Sequence, residues 1–185
     1  MSKGSTRAER RRDRARRLAA FDTVVSTYEG ALLRYAARVL GNPNAAEDVV
    51  QNTFIRLFRK WNDAFEPSPQ LSSWLYRVAH NCAVDHLRRE ARRRDLHHRQ
   101  AGEQAEFAPP DRGTAFRIGE AAARAAAALQ TLSLRERQLV VLKVYEEKSY
   151  REIGDITGLT VSNVGYILHH AMKKLAAALE ANEST

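Results

Sequence analysis

The sequence contains a single cysteine, Cys82, and no apolar run of about 18 residues or more. One cysteine excludes a disulfide framework within the chain, and the lack of a long apolar run excludes a predicted membrane-spanning helix. The first residues also lack the apolar core of a secretory signal. We therefore expect a cytoplasmic protein with no membrane partner, in which Cys82 is a small buried residue.

Signatures of enzymes are missing as well. The sequence has no glycine-rich phosphate loop and no nucleophile elbow. Its six histidines form neither a His-x-x-x-His pair nor part of an Asp-rich cluster, so a metal site is not expected. The paired His97-His98 and His169-His170 are better explained as surface or phosphate contacts. We predict no catalytic residue, no cofactor and no metal ligand.

The net charge of +8 and the pI near 10.0 suggest a polyanionic partner. The charge is uneven, because residues 1–20 hold eight basic and two acidic side chains and so carry most of the excess. Residues 1–17 have almost nothing apolar to bury, which predicts a basic disordered tail. The overall charge alone therefore does not argue for nucleic-acid binding by the folded part.

Three amphipathic helical patterns follow, at Leu18–Leu40, Ala45–Trp61 and Gln70–Arg94, and they predict a helical domain over residues 18–96. Asn44 and Glu47 resemble a weak capping pair for the second helix. The third helix has an apolar side and an opposite polar stripe, and Arg, Asn and Asp in such a stripe can contact phosphates and base edges. The stripe consists of Arg77, Asn81, Asp85, Arg88 and Arg92.

Residues 97–115 lose the periodicity and predict a flexible linker. Residues 116–181 predict a second small helical domain. Ser133 with Glu136 and Ser149 with Glu152 are capping boxes, and Thr157-Gly158-Leu159 is a tight turn before a helix that Thr160 can cap. This arrangement is typical of a helix-turn-helix. The expected fold is all-α, with Leu139, Val140, Leu142 and Val144 among the buried residues.

Two stretches carry a family resemblance. AEDVVQNTFIRLFRKW with SSWLYRVAHNCAVDHLRRE resembles the core domain of the extracytoplasmic-function (ECF) sigma factors, small members of the sigma-70 family. LSLRERQLVVLKVYEEKSYREIGDITGLTVSNVGYILHHAMKKL is similar to the promoter-binding domain of that family. The recognition helix departs from the family at Gly165–His170, where a basic run is frequent, and Gly165 marks either a close backbone approach or drift.

The resemblance implies a protein that binds core RNA polymerase and directs promoter recognition and transcription initiation. It implies a monomer when free, with core polymerase and promoter DNA as partners and an anti-sigma protein as a candidate partner. The implied polymerase-binding residues are Glu47, Asp48, Gln51, Asn52 and Arg56. The implied −10 DNA-binding residues are the polar stripe, Arg77, Asn81, Asp85, Arg88 and Arg92. The implied −35 DNA-binding residues are Thr160, Ser162, Asn163, Tyr166, His169, His170 and Lys173.

An energetic estimate supports a need for a larger partner. Opening about ten base pairs costs on the order of 14 kcal/mol, and each captured base returns about 1–3 kcal/mol. Two other classes stay open from the residues alone. One is a stand-alone helix-turn-helix transcription regulator, which would normally dimerise on paired half-sites. The other is a basic protein that coats nucleic acid through its N-terminal tail.

Overall fold

The computed structural model describes residues 7–60, 66–100 and 119–183, and all regular structure in these ranges is helical. The all-α prediction is confirmed. The helices are α1 (Arg7–Leu40), α2 (Pro43–Lys60), α3 (Pro69–Gln100), α4 (Glu120–Gln130), α5 (Leu134–Val140), a π-helical segment (Val141–Tyr145), α6 (Tyr150–Thr157) and α7 (Val161–Glu183).

Helix α1 begins at Arg7. The sequence instead predicts a disordered tail up to residue 17 and a helix that begins at Leu18. Arginine and alanine are good helix formers, so the helix continues through residues that have no apolar face to bury. Residues 11–20 are exposed, and burial begins at Val24. The part of the predicted tail that precedes Arg7 lies outside the described residues.

The N-terminal domain, α1 to α3, buries one face of each helix in a common core. Leu32, Leu57 and Leu75, one from each helix, are fully buried. The loop before α3 is held by Tyr28, whose Oη accepts from the Ser68 amide at 2.9 Å and donates to the Ser68 carbonyl at 3.1 Å. The loop geometry therefore fixes where α3 begins on the surface of the bundle.

The starts of α2 and α3 follow the usual chemistry of helix N-termini. Asn42 Oδ1 accepts a hydrogen bond from the Ala45 amide at 3.2 Å. Asn42 therefore caps the N-terminus of α2, a role that the sequence predicts for Asn44. Pro43 is the first residue of α2, a position where its missing N–H costs nothing. Ser68 Oγ accepts from the Leu71 amide at 3.2 Å in the same way at the start of α3.

In the C-terminal domain, α4 to α7, both predicted capping boxes are present, at Ser133 with Glu136 and at Ser149 with Glu152. The prediction that Val144 is buried is wrong, because its side chain is 49% exposed. A π-helical turn has more residues than an α-helical turn, so Val141–Tyr145 shifts the register and Val144 faces outward. Gln138, a polar residue, is buried in the same region.

Two other boundaries differ from the sequence prediction. Helix α3 continues to Gln100, past the predicted linker start at residue 97. The sequence predicts a helix from about Phe116 to Gln130, whereas α4 begins at Glu120 after the non-helical Gly119, and residues 116–118 lie outside the described residues. Helix ends are the least determined part of a periodic pattern, since the last turns contribute little burial.

The two domains pack against each other. Helix α3 contacts α6, and α1 contacts α5 and the π-helical segment. The buried apolar residues form one cluster that extends from Val24 in α1 to Ala171 in α7. In this arrangement the described residues form a single body with a shared core.

The helix-turn-helix turn depends on Gly154. A Cβ added at Gly154 would lie 2.7 Å from the Leu159 carbonyl oxygen, which is closer than real contacts allow. We expect Gly154→Ala to lower the free energy of unfolding by about 1–3 kcal/mol and the melting temperature by several degrees. Gly30→Ala is the matched control, because Gly30 is an exposed glycine inside α1 where alanine should stabilise slightly. Equal melting temperatures for the two variants would show that the turn accommodates the added atom.

Candidate functional site

The exposed face of α2 contains all five residues that the sequence predicts for polymerase binding. Glu47, Asp48, Gln51, Asn52 and Arg56 are all exposed, while Val49, Val50, Thr53, Phe54 and Leu57 are buried on the opposite side. Their side chains line two grooves, one between α1 and α2 and one between α2 and α3. The structure therefore brings these five residues together on one accessible surface.

The groove between α1 and α2 has an apolar floor, and we call it the docking groove. Ile55 and Phe58 of α2 are 42% and 55% exposed there, and the Phe58 ring packs edge-on against Phe21 of α1 with centroids 5.3 Å apart. Glu47, Asp48 and Gln51 stand at the polar rim. The residues that line the groove on its apolar side are Phe21, Val25, Leu33, Phe54, Ile55 and Phe58.

Sequence reasoning missed Ile55 and Phe58. The available signal was their spacing, because Ile55 follows Gln51 by four residues and Phe58 follows Ile55 by three, which puts them beside the polar face. Exposed large apolar side chains next to each other on one helix indicate a surface that a partner covers. The docking groove thus has an apolar centre that the predicted polar residues surround.

Five arginines and three acidic side chains line the groove between α2 and α3. Arg56 of α2 lies 3.8 Å from the Asp85 carboxylate of α3, and both side chains are about half exposed. Arg88 and Arg92 of the polar stripe line the same groove, and Cys82 lies at its inner side, where burial raises the pKa of the thiol. A residue predicted for polymerase binding and a residue predicted for −10 binding therefore share one ion pair.

The first part of the polar stripe has different neighbours. The Arg77 guanidinium donates to the carbonyl of Asp155 in α6. Arg77, His80 and Asn81 line a cleft whose other wall is Gly154–Gly158. All five stripe residues are exposed on the face that the sequence predicts, but the C-terminal domain divides them into two sets. Arg77 and Asn81 face α6, whereas Asp85, Arg88 and Arg92 lie away from it.

The recognition helix α7 exposes every residue predicted for −35 binding that lies in it. Tyr166 is 67% exposed, and its ring contacts His170 with centroids 4.4 Å apart. Thr160 precedes the helix, and its Oγ1 accepts from the Asn163 amide at 3.3 Å, so Thr160 also acts as the helix cap. The remaining exposed residues are Ser162, Asn163, His169, His170 and Lys173.

Gly165 lies where the helix-turn-helix helices approach each other. A Cβ at Gly165 would lie 3.4 Å from the Tyr150 ring of α6, at the lower edge of ordinary van der Waals contact. An alanine would therefore fit at this position, and the structure does not choose between a close approach and drift.

The described ranges contain no group of three or more His, Cys, Asp or Glu side chains that could hold a metal ion. Within the same ranges, no helix has the length and apolar content needed to span a bilayer.

Comparison with known protein families gives one match in each of the two domains. Residues 24–93 match the family described as Sigma-70 region 2, and residues 122–175 match Sigma-70, region 4. The chain is 30% identical over 155 residues to the ECF RNA polymerase sigma factor SigL of Mycobacterium tuberculosis, with 83% of this chain and 85% of that protein covered. This chain is an ECF sigma factor.

Other relatives of this sigma factor agree. It is 28% identical over 170 residues to the ECF RNA polymerase sigma factor SigW of Bacillus subtilis, covering 86% of this chain and 89% of the relative. The structure of CnrH in complex with the cytosolic domain of CnrY has a TM-score of 0.60 and 27% identity, with 89% and 90% of the two chains covered. The sigma factor RpoE bound to the anti-sigma factor NepR from Bartonella quintana has the same fold, with a TM-score of 0.66, 21% identity, and 86% and 96% coverage.

The two matched regions occur in the order that the resemblance implies, and each falls inside one of the predicted domains, 18–96 and 116–181. The prediction of an RNA polymerase sigma factor is confirmed. The stand-alone helix-turn-helix regulator and the nucleic-acid coating protein are not favoured, because neither class explains region 2 and region 4 together.

The sigma factor should lose stability in mild acid through His80. Burial, and then the charge of Arg135, lower the pKa of His80 from 6.5 to about 4. Between these values the unfolded chain binds a proton that the folded chain does not, so the free energy of unfolding falls as the pH drops from 6.5 towards 4. The fall at about pH 5 should be on the order of 1–2 kcal/mol.

Chemical denaturation at about pH 7 and pH 5, on the wild type and on His80→Gln, measures this effect. The pKa of Glu136 is lowered from 4.5 to about 2, chiefly by its hydrogen bond with Lys174. The folded protein loses the stability that this carboxylate contributes only as the pH falls below 4.5, so Glu136 does not affect the comparison of pH 7 with pH 5. An equal loss of stability in both proteins would assign the acid sensitivity to other groups.

Proposed function

We propose that this sigma factor binds core RNA polymerase through the outer face of α2 and reads the −10 and −35 promoter elements with α3 and α7. The observation that supports this most directly is the position of α2 between the docking groove on its α1 side and the polar stripe on its α3 side. An apolar centre with a polar rim is typical of protein interfaces, and a stripe of arginines with Asn and Asp is typical of nucleic-acid interfaces. Because α2 packs against α3, one docking event through α2 can present the stripe to DNA.

Docking on polymerase rests on Ile55 and Phe58 as apolar anchors, with Glu47, Asp48 and Gln51 at the rim. Burial of two large apolar side chains supplies affinity, because their exposed area is removed from water. The acidic rim residues select the orientation and suppress wrong partners. Arg56 and Asn52 lie at the other edge of this face, towards α3.

Reading of the −10 element rests on the polar stripe. Asn81 can pair as donor and acceptor with a base edge, Asp85 can accept from an amino group, and the arginines can hold phosphates or guanine. The Arg56–Asp85 ion pair adds a physical link to docking, because it joins the polymerase-binding helix to the reading helix. A partner that displaces Arg56 would leave the Asp85 carboxylate free to accept from a base.

Reading of the −35 element rests on α7, the second helix of the helix-turn-helix, whose exposed residues enter the major groove. Tyr166 and His170 pack together, so they present one shape to DNA instead of two independent side chains. Asn163 and Lys173 lie towards the two ends of the exposed face. The departure of Gly165–His170 from a basic run favours recognition by shape and hydrogen bonds over recognition by charge alone.

The same proposal includes the setting in which the protein works. Core polymerase supplies the catalytic chemistry, so this sigma factor is assigned no catalytic residue, and it acts in the cytoplasm as a monomer when free. An anti-sigma protein is a further proposed partner, since the solved structure of CnrH, which is similar in fold and 27% identical, is a complex with the cytosolic domain of CnrY.

The docking face can be tested by charge reversal. We expect Asp48→Lys with Gln51→Lys to abolish binding to core polymerase in a pull-down or by fluorescence anisotropy. The melting temperature should stay nearly constant, because solvent-facing changes usually cost under about 0.5 kcal/mol. The control is Ala122→Lys with Ala123→Lys and Ala126→Lys, which adds the same three positive charges to exposed positions of α4. Polymerase binding by the double variant at the wild-type level would place the docking face elsewhere.

The −10 assignment can be tested with a set of promoters that differ in this element. We expect Asn81→Ala or Asp85→Ala to change the ranking of promoters in a transcription assay while polymerase affinity is retained. Loss of the exposed Arg56–Asp85 pair should cost at most about 1 kcal/mol of stability.

Arg56→Ala is the control for the ion pair, because it removes the same contact and leaves the Asp85 carboxylate in place. A parental promoter ranking in the Asp85→Ala protein, together with an equal loss of stability in both variants, would make Asp85 structural.

A further inference from the structure

We propose that the first turns of α1 form a basic arm that binds the phosphate backbone of duplex DNA beside the −10 element, without reading its sequence. The arm consists of residues 7–17 of α1, and we call it the arginine arm. The identity of its partner rests on the proposed contact of α3 with the −10 element. The charge, the exposure and the position of the arm carry the inference.

The arginine arm contains seven arginines and two acidic residues, Glu9 and Asp13. Its two other residues are alanines, so the arm has no large apolar side chain. The described side chains of the arm are exposed, and the exposure continues to residue 20. At ~1.5 Å per residue, the arm is ~16 Å long. It therefore contributes charge to the surface of the protein and nothing to the core.

Three arginines of the arm share one side of the helix. At about 100° of rotation per residue, Arg7, Arg11 and Arg14 lie within about 60° of one another. Opposite charges on a helix are neighbours when they are three or four residues apart. Neither acidic residue of the arm stands three or four positions from any of these three arginines. We call Arg7, Arg11 and Arg14 the arginine face.

The other side of the arm has mixed charge. Glu9 stands three residues before Arg12, and Asp13 stands three residues before Arg16. This spacing places each carboxylate beside an arginine. The two sides of one helix therefore carry arginines in different electrostatic settings, and the arginine face has the less compensated charge.

The arginine face is unfavourable for the helix by itself. Arg7 and Arg11 are four residues apart and Arg11 and Arg14 are three apart, so like charges are neighbours. Positive side chains near a helix N-terminus also oppose the helix dipole. A bound polyanion removes both penalties. The arrangement therefore favours the helix most when a polyanion is present.

The spacing of the arginine face suits a strand of DNA. Its three arginines occupy ~10 Å of the helix axis, at a rise of ~1.5 Å per residue. Each DNA strand carries one charge per ~3.4 Å of the duplex axis. Each guanidinium can therefore contact a separate phosphate, and its planar fork can donate two hydrogen bonds to it. Contacts of this kind position a protein on the duplex and carry no sequence information.

The arm leaves the N-terminal domain beside the C-terminal end of α2. Phe21, four residues after the arm, packs edge-on against Phe58 with ring centroids 5.3 Å apart. The last two residues of α2 are basic and exposed. Two residues before Phe58, Arg56 lies 3.8 Å from Asp85 of the polar stripe. Basic side chains thus continue from the polar stripe, past the end of α2, to the arginine arm.

Other partners fit the arm less well than DNA. A protein interface has apolar or aromatic side chains at its centre, and a helix that lies in a membrane surface needs an apolar face. The arm offers only Ala8 and Ala15 for either purpose. Phosphate binding needs exposed cations at a suitable spacing, which the arm has. The polar stripe nearby is proposed to hold promoter DNA, and this favours duplex DNA over RNA.

The experiment compares two variants that remove the same charge from different sides of the arm. Arg11→Gln/Arg14→Gln changes the arginine face, and Arg12→Gln/Arg16→Gln is the matched control. All four positions are exposed, and glutamine is about as good a helix former as arginine. We therefore expect wild-type helicity and melting temperature for both variants, which circular dichroism checks before DNA is added.

Fluorescence anisotropy then measures binding to DNA between ~50 and ~200 mM salt, for the free chain and for its complex with core polymerase. The probes are a promoter duplex, the same duplex with a changed −10 element, and a duplex of unrelated sequence. Each lost phosphate contact lowers the slope of log K against log salt by about 1. We expect the slope to fall by about 2 for Arg11→Gln/Arg14→Gln on all three duplexes, and to keep its wild-type value for the control.

Arg11→Lys/Arg14→Lys provides a rescue, because lysine keeps the positive charge. Its salt slope should equal that of the wild type. Wild-type slopes for both glutamine variants would overturn the proposal. An equal fall in both would also overturn it, since the effect would then follow net charge and not the arginine face.

The same proteins are also tested with single-stranded RNA, with phosphatidylserine vesicles and with core polymerase alone. A loss of binding confined to one of these probes, with unchanged slopes on duplex DNA, would overturn the proposal and assign the arm to that partner. If Asp85→Ala keeps the parental promoter ranking, the −10 assignment fails. The salt slopes on the unrelated duplex still decide the DNA contact of the arm separately.

Discussion

The orientation of the functional faces depends on the shared burial of α1, α2 and α3. Leu32, Leu57 and Leu75 are fully buried, one on each helix, and their contact fixes how each helix is rotated about its axis. Because a helix has one buried side, this rotation decides which residues point outward. The face of α2 proposed to bind polymerase and the polar stripe of α3 therefore lie opposite the buried faces of these helices. A change that slipped the register of one helix would turn its functional residues into the bundle.

The periodic parts of the chain could be predicted from the sequence, and the reasons are local. The polar stripe of α3 could be predicted because the apolar residues of this helix recur at helical spacing. These residues are buried in the core, so the polar residues lie on the opposite side. The two capping boxes are also local, since Ser133 and Ser149 each find a glutamate three residues on. Both features depend on residues within one or two turns. The sequence therefore specifies them without knowledge of the tertiary fold.

The features that the sequence analysis did not predict lie where two alternative local structures compete. Helix α1 extends to Arg7 because helix propensity suffices where no burial is available. Val144 faces outward because the π-helical turn breaks the period on which its prediction relied. Asn42 replaces Asn44 because Pro43 is better placed as the first helical residue. In each case two local structures are compatible with the same periodic pattern, and the pattern does not separate them.

The contacts between separate helices could not be predicted from one sequence, and two of them involve residues of the proposed binding sites. Arg56 meets Asp85, and Arg77 meets the Asp155 carbonyl, although each pair is distant in the chain. The polar stripe therefore contacts two different neighbours. Asp85 contacts α2, the helix proposed to dock on polymerase, and Arg77 contacts α6, in the domain proposed to read the −35 element. Under the proposed function, a change in either neighbour would therefore alter the contacts of a residue in the reading face of α3, which would not occur in a stripe of independent side chains.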